Sequence, residues 1–201
     1  PTHAKYTQPG DRIVMIGGRV GKDGIHGATF SSVELNESSP VQAVQIGDPI
    51  TQRMMFDMLT EARDAGLYRG MTDNGAGGLS SSIGEMAEAT GGAEIDLSRV
   101  PLKYPGLLPW EILVSEAQER MTVAVPEDKL PAFLDLAARR DVEATDIGQF
   151  TQTGKLVVMH GARRVCDLSL DFLHGGLPKI TRKARWCPPP RVEWTAEQRA
   201  E

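Results

Sequence analysis

The segment at residues 71–80, MTDNGAGGLS, constrains the fold of this chain more than any other stretch. A short apolar run ends there at one carboxylate, Asp73, and three glycines follow within four residues. The apolar positions after the glycines recur at the spacing of an amphipathic helix: Leu79, Ile83, Met86 and Ala87. The segment therefore predicts a strand end, an acid, a tight turn and a helix N-terminus.

Two interpretations of this segment are open. Glycines let a ligand approach backbone N–H groups closely, and a helix N-terminus attracts phosphate. Asp73 could then hold Mg²⁺, which prefers carboxylate, water and phosphate oxygens. A purely structural turn, with Asp73 near the helix cap, accounts for the same residues and is favoured on this segment alone. The spacing matches neither the Walker loop nor the dinucleotide-binding fingerprint.

Length and composition indicate a globular protein with one sizeable domain or two small ones. The chain has 201 residues, of which 40% are hydrophobic and 24% are charged. The net charge of −5 argues against a general role in binding nucleic acid or a membrane surface. Apolar runs stay far below the ~20 residues that a membrane span needs, and no apolar signal-peptide core follows the N-terminal residues.

The two cysteines, Cys166 and Cys187, lack the spacing of metal ligands. A reduced, cytoplasmic protein is expected from this usage, and a single disulfide is the alternative. Because the first residue is not methionine, the sequence is expected to be a piece of a longer chain.

The predicted organisation is a lead-in at residues 1–10, one domain at 11–178 and a basic, proline-rich linker at 179–201 to a following domain. Because strands and helices are mixed rather than alternating, we expect an α+β (mixed α/β) domain. Predicted strands lie at 11–16, 41–46, 67–72, 93–97, 121–125, 142–150, 155–160 and 164–170. Predicted helices begin at 49, after Asp73, at 110 and at 128.

Local signals specify where several of these elements begin and end. Asp48 is a plausible N-cap with Pro49 at the first helical position. Pro131 is tolerable in a helix only if Asp128 is the cap, which keeps the ring in the first turn. Residues 174–178, HGGLP, are expected to break the last strand.

Two further segments carry unusual residue densities. Residues 17–32 are rich in glycine and include His26, which predicts either a hairpin tip or a loop packed against a ligand or partner domain. Residues 115–120, SEAQER, place charged and amide side chains directly before a core strand. That density is unusual for a segment that is only a solvated corner.

Four motifs, in this order, resemble the phosphoribosylformylglycinamidine synthase family of the purine pathway. They are GGRVGKDGIHGATFSS at 17–32, VQIGDP at 44–49, DNGAGGLSSS at 73–82 and SEAQERM at 115–121. The resemblance spans about residues 10–180 and is to the C-terminal domain of the first of the family's two repeated halves. It implies the fold of that domain type in the aminoimidazole ribonucleotide synthetase superfamily, a mixed β-sheet packed with helices.

The resemblance also implies a reaction. In that family ATP phosphorylates the amide oxygen of formylglycinamide ribonucleotide, and ammonia displaces the phosphate to give the amidine. The ammonia comes from glutamine through a glutaminase domain or subunit. Mg²⁺ and ATP are therefore the implied cofactors, and phosphorylation makes sense because it turns a poor leaving group into a good one.

Site residues follow from the matching motif positions. The resemblance implies that Asp73 binds Mg²⁺ and that Gln45, Glu116, Ala117 and Gln118 contact the substrate. Carboxylate and amide groups together accept and donate hydrogen bonds, which suits ribose hydroxyls and a formamide. The family usually has serine where this chain has Ala117. A contact at that position must therefore come from the backbone.

The family's catalytic histidine lies in a preceding domain, and its Ser-His-Asn-His type of motif is absent here. The four histidines of this chain do not stand in such a setting: His3, His26, His160 and His174. The chain is therefore expected to hold no catalytic residue and to be inactive alone. Its expected partners are formylglycinamide ribonucleotide, the preceding domain, the second half of the parent chain and a glutaminase, with no nucleic acid or membrane.

Two alternatives to this function stay open. One is a non-catalytic scaffold that holds a nucleotide structurally. The other is a different ATP-dependent enzyme of the same superfamily, such as a kinase of a small metabolite. The motifs at 44–49 and 115–121 favour the synthase over the kinase.

Overall fold

The computed structural model describes residues 6–25 and 47–188, and these contain one seven-stranded mixed sheet. The order across the sheet is β2-β4-β1-β5-β3-β6-β7. Neighbouring strands are antiparallel except for the parallel pair β3–β6. The strands are β1 Arg12–Gly17, β2 Gly70–Asp73, β3 Ala93–Asp96, β4 Arg120–Val125, β5 Ala144–Phe150, β6 Lys155–His160 and β7 Arg163–Ser169.

Helices pack on both faces of the sheet, which confirms the predicted α+β class. They are α1 Pro49–Asp64, α2 Gly78–Thr90, α3 Pro109–Val114, α4 Leu130–Arg139 and α5 Leu170–Gly175, with 3₁₀ turns at Leu97–Arg99 and Glu127–Lys129.

Strand β1, in the interior of the sheet, contributes side chains to two hydrophobic cores. Ile13 and Met15 point into one core, and Val14 and Ile16 point into the other. All four are buried, as alternation along a strand covered on both faces requires. The first core takes the predicted stripe of α2: Leu79, Ile83, Met86 and Ala87. The second takes the stripes of α1 and α4: Met55, Met58, Leu59, Ala62, Phe133, Leu136 and Ala137.

The beginning of α1 follows the sequence signal. Asp48 is the N-cap, and its carboxylate accepts hydrogen bonds from the backbone N–H groups of Ile50 and Thr51 and from the Thr51 hydroxyl. These bonds, the one from the Thr51 hydroxyl first, lower the pKa of Asp48 below its ordinary value. Pro49 occupies the first turn, where a missing N–H leaves no bond unmade.

Three predictions of where an element begins or ends differ clearly from the structure. β2 begins only at Gly70, although a strand was expected from residue 67. Asp128 does not cap α4, because a 3₁₀ turn precedes that helix and makes Lys129 its N-cap. Instead of a break near His174, the chain forms α5, whose N-terminus is capped by the Ser169 hydroxyl accepting from the Phe172 N–H at 3.2 Å.

Several predictions fall on residues outside the two described ranges. These are the strand at 41–46, Gln45, His3 and His26. Both cysteines, by contrast, lie in the described part of the chain, and their thiols are free.

Glycines make room for the backbone of residues 115–120, which we call the polar strip. A Cβ on Gly17 would lie 2.2 Å from the carbonyl oxygen of Glu119, and one on Gly78 would lie 2.2 Å from that of Ser115. A Cβ on Gly24 would lie 2.7 Å from the Glu116 carbonyl oxygen. Two of the glycine-rich motifs are therefore the surface against which the polar strip packs.

Replacing Gly78 with alanine should displace the polar strip. Gly78 has φ +56°, so the substitution combines backbone strain with a clash against Ser115. We expect Gly78→Ala to lower the free energy of unfolding by about 2–5 kcal/mol in urea titrations. Gly154→Ala is the matched control, because Gly154 has φ +73° but a Cβ added there would meet nothing within 4 Å. It should lose only about 1–2 kcal/mol, and equal losses in the two variants would contradict the packing argument.

Removing the cap of α1 should make the protein less stable in a pH-dependent manner. Because folding lowers the pKa of Asp48, its contribution is present above about pH 4 and is lost as pH falls through the lower folded-state pKa. Asp48→Ala should therefore lower the Tm by about 2–4 °C at pH 7. The difference in Tm from the unchanged chain should shrink as the pH is lowered below the folded-state pKa. A pH-independent difference would show that the carboxylate charge does not matter.

Candidate ligand-binding cavity

A cavity of about 280 Å³ opens where β2 ends and β4 begins. Three parts of the chain form its walls: Gln52 and Met55 of α1, the turn at residues 73–75, and residues 116–121. The antiparallel pairing of Asp73 with Met121 brings the second and third parts together, although they are far apart in sequence. We call this space the strip cavity.

The strip cavity collects four of the five residues that the motif resemblance selected. Asp73, Glu116, Ala117 and Gln118 all line it. Gln45 lies outside the described ranges, although Gly47, two residues later, lies against the cavity wall. A Cβ on Gly47 would be 2.5 Å from Oε1 of Glu119.

The Asp73 carboxylate is oriented by the turn that follows it. Its Oδ1 accepts a hydrogen bond from the Gly75 N–H at 2.9 Å, and the side chain is exposed. Among residues 6–25 and 47–188, no group of three or more His, Cys, Asp or Glu side chains is arranged to hold a metal. Mg²⁺ is usually bound by one or two carboxylates together with waters and substrate phosphates. Asp73 therefore fits as one ligand of such an ion, completed by phosphate oxygens from elsewhere.

The glycine N–H groups of the turn have internal acceptors. Gly75 donates to Asp73, Gly77 donates to Oε1 of Glu116 at 3.1 Å, and Gly78 donates to the Gly75 carbonyl at 2.8 Å. For these three amides the structural-turn interpretation holds, because none is left to bind a phosphate. Gly77 itself begins α2 in the left-handed conformation without a side-chain cap. The Glu116 carboxylate thus sits where a helix N-terminus attracts negative charge.

Burial alternates along the polar strip. Ser115 and Ala117 are 0% and 2% exposed, whereas Gln118 is exposed and Glu116 half-buried. The Ser115 hydroxyl donates to the Gly21 carbonyl at 2.8 Å and accepts from the Ala117 N–H at 3.3 Å. The Ala117 carbonyl accepts from Nε of Arg120 at 2.8 Å. Both backbone polar groups of Ala117, from which a substrate contact was expected, are thus already engaged inside the protein.

A buried guanidinium holds the inner side of the polar strip. Arg120 is 3% exposed and donates through Nε to the Ala117 carbonyl and through Nη2 to the Ser115 carbonyl. Burial lowers the pKa of Arg120 to about 10, so the side chain stays charged at neutral pH. No carboxylate forms an ion pair with this guanidinium in the described residues, and the charge of Asp23 acts on it only at longer range.

Carboxylates outnumber cations around the strip cavity. Asp73, Glu116 and Glu119 line it, against the single guanidinium of Arg120 among the described residues. A ligand phosphate would therefore be repelled unless a cation accompanied it. The charge pattern favours a phosphorylated ligand that arrives with a divalent metal ion.

Sequence reasoning did not select Asn74, Glu119 or Arg120 as site residues, although all three line the strip cavity. Asn74 directly follows the selected Asp73, and Glu119 and Arg120 are the next two residues after the selected Gln118. The signal available was the density of polar residues just before the core strand β4. Glu119 also has φ +53°, an uncommon conformation for a residue other than glycine.

A second cavity of about 330 Å³ lies on the sheet face near Arg12, Arg99 and Gln149. Its two arginines share one carboxylate oxygen of Asp146, at 2.7 and 3.0 Å. None of the predicted site residues lines it. The strip cavity is thus the better candidate site despite its smaller volume.

Comparison with known proteins gives a consistent set of relatives. A curated phosphoribosylformylglycinamidine synthase subunit PurL from Methanopyrus kandleri is 41% identical over 177 residues, which is 86% of this chain and 24% of the relative. Among solved structures, T. maritima PurL complexed with FGAR is 32% identical with a TM-score of 0.83, over 96% of this chain and 32% of that one. T. maritima PurL complexed with ATP is 30% identical with a TM-score of 0.76, over 94% and 30%.

The likeness covers most of this chain but only part of each relative. The chain spans about a quarter of the length of the curated relatives it matches. In the described residues, no helix is long and apolar enough to cross a bilayer. The family described as AIR synthase related protein, C-terminal domain, matches residues 8–161. Because that match covers most of the chain, this chain belongs to the AIR synthase related protein family, as a domain of the C-terminal type.

Proposed function

We propose that this chain forms one wall of the active site of a phosphoribosylformylglycinamidine synthase, an ATP-dependent ligase of purine biosynthesis. The observation that carries the proposal is the strip cavity. It brings together Asp73, Glu116, Ala117 and Gln118, which a motif resemblance had selected from two segments far apart in sequence. The likeness to PurL structures that contain FGAR and ATP supports the same assignment.

In this proposal the polar strip binds the substrate formylglycinamide ribonucleotide. Glu116 and Gln118 lie on the cavity side of the strip and offer a carboxylate and an amide to ribose hydroxyls or to the formamide. Ala117 contributes apolar contact, since its N–H and carbonyl have internal partners. Gln45 joins these residues from the segment just before Gly47.

Asp73 would hold Mg²⁺ together with the phosphates of ATP. The bound ion supplies positive charge that neutralises phosphate oxygens as the phosphoryl group is transferred. The contribution of this chain is to hold one oxygen of the carboxylate with the Gly75 N–H, so that the other is presented in a defined direction. Three carboxylates around the cavity make the accompanying cation a requirement for phosphate binding.

The rest of the active site is proposed to lie outside this sequence. We infer that the catalytic histidine and the main nucleotide contacts come from a preceding domain, and that the second half of the parent chain completes the assembly. Ammonia is proposed to come from glutamine through a glutaminase domain or subunit. Residues 11–178 form the domain, after a lead-in at 1–10 and before a linker at 179–201, in a cytoplasmic enzyme with no nucleic-acid or membrane partner.

Changes in the strip cavity of the longer enzyme should impair turnover. Asp73→Asn removes the charge that would bind Mg²⁺ and should raise the Mg²⁺ concentration needed for half-maximal activity. Gln118→Ala removes a proposed substrate hydrogen bond and should lower kcat/KM for formylglycinamide ribonucleotide about tenfold or more. Asp64→Asn, at the exposed end of α1, is the matched control. Unchanged kinetics in both cavity variants would refute the proposed function.

The chain by itself should not make the amidine. Incubated with ATP, Mg²⁺, formylglycinamide ribonucleotide and ammonium chloride, the isolated 201-residue chain should give no amidine by mass spectrometry, because the catalytic histidine is absent. The longer enzyme under the same conditions is the positive control. Amidine formation by the isolated chain would contradict the claim that the active site is shared.

A further inference from the structure

Two buried hydrogen-bond donors in the wall of the strip cavity have no partner among the described residues. The first is the side-chain amide of Asn74, which is 3% exposed. Its Oδ1 accepts from the hydroxyls of Ser82 at 2.5 Å and Thr122 at 2.8 Å. Its Nδ2 is enclosed and bonds to nothing in the described parts of the chain.

The second donor is Nη1 of Arg120. The other two nitrogens of this guanidinium bond to the carbonyls of Ala117 and Ser115, whereas Nη1 is buried without an acceptor in residues 6–25 and 47–188. The two residues are neighbours across the sheet, because the Asn74 N–H donates to the Arg120 carbonyl at 3.1 Å. They extend the β2–β4 ladder by one pair beyond Asp73 and Met121.

Unfilled donors of this kind are unfavourable in a folded protein. Enclosing an N–H group without an acceptor costs its hydration, and the cost is larger when the group carries charge. Native structures therefore give nearly all buried polar atoms a partner, and an exception calls for an explanation such as a ligand. Four buried side-chain nitrogens lack a hydrogen-bond partner in the described residues. Those of Asn74 and Arg120 line the strip cavity, which also holds the proposed substrate contacts. The other two, Nε of Arg12 and Nε of Arg69, lie outside it, and Nε of Arg69 is 3.2 Å from the Asp11 carboxylate.

We propose that Asn74 and Arg120 form a subsite for one oxygen atom that only accepts hydrogen bonds, namely a carbonyl oxygen of the ligand. The inference rests on the proposed function and adds the residues that recognise the amide. A bare phosphate oxygen is disfavoured, because three carboxylates line the same cavity. A neutral carbonyl avoids that repulsion and can accept from both donors, which holds the ligand in one orientation.

The hydrogen bonds that position the two donors of the subsite are already present in the fold. The hydroxyls of Ser82 and Thr122 bond to the Asn74 amide oxygen. A carbonyl of the polar strip accepts from the Arg120 guanidinium. A carbonyl oxygen delivered between them would complete a set of bonds whose other members are already in place. Small adjustments of the two side chains must open the enclosed nitrogens to the ligand, so binding should be accompanied by a local rearrangement.

Asn74→Asp in the longer enzyme tests the subsite. The carboxylate keeps an oxygen for the Ser82 and Thr122 hydroxyls but replaces the donor with a second acceptor. We expect the KM for formylglycinamide ribonucleotide to rise about 10- to 100-fold. Arg120→Lys keeps the charge but removes the forked donors, and should also raise the KM. Arg69→Lys is the matched control, because Arg69 pairs with Asp11 and does not line the cavity.

An altered substrate separates recognition of the carbonyl from a general loss of structure. An analogue in which CH₂ replaces the amide carbonyl offers no acceptor at that position of the ligand. Calorimetry should show that the unchanged enzyme binds the natural ligand about tenfold or more tightly than this analogue, and that Asn74→Asp and Arg120→Lys abolish the preference. A variant that only damages the fold would weaken both ligands equally.

These experiments test the subsite and the proposed function separately. If Gln118→Ala and Asp73→Asn impair the enzyme but the preference for the carbonyl survives in Asn74→Asp and Arg120→Lys, the subsite is refuted and the proposed function stands. Should Asn74→Asp fail to fold, Arg120→Lys decides alone. An unchanged enzyme that shows no preference for the carbonyl would mean that an internal water satisfies the two donors, which also refutes the subsite.

Discussion

The candidate site depends on how the backbone of residues 115–120 is held. One buried guanidinium, that of Arg120, gathers the carbonyls of Ser115 and Ala117 on the inner side. Because inward and outward positions alternate, this attachment turns Glu116 and Gln118 toward the strip cavity. A charged group is needed for the task, since it can bond several carbonyls at once from a single position.

Close packing against glycines completes that attachment. The carbonyl oxygens of Ser115, Glu116 and Glu119 lie where a side chain at Gly78, Gly24 or Gly17 would otherwise stand. Two glycine-rich motifs that are far apart in sequence therefore share one structural purpose. Glycine-rich sequence near an acid suggested a phosphate cradle, but the glycines that contact the polar strip serve backbone packing instead.

The strip cavity contains the side chains that are proposed to bind ligands. Its acids lie at the end of β2 and on the polar strip, whereas its cation and the Asn74 amide are buried in the wall behind them. Carboxylates that are exposed or half-buried suit a metal-accompanied phosphate, and enclosed donors suit an oxygen that must be recognised in one orientation. The cavity therefore combines two kinds of recognition in one wall of a larger site.

Sequence by itself determined the α+β class, the stripe of α2, the Asp48 cap and two of the three segments that line the cavity. These features depend on local periodicity, on capping chemistry and on motifs read in order. Only the tertiary structure decided that Asp73 and Gln118 lie in one cavity, that the backbone of Ala117 is engaged, and that Asn74 and Arg120 belong to the wall. Such facts depend on the β2–β4 register and on which buried donors find acceptors. Contacts between distant residues determine both, and no local pattern encodes them.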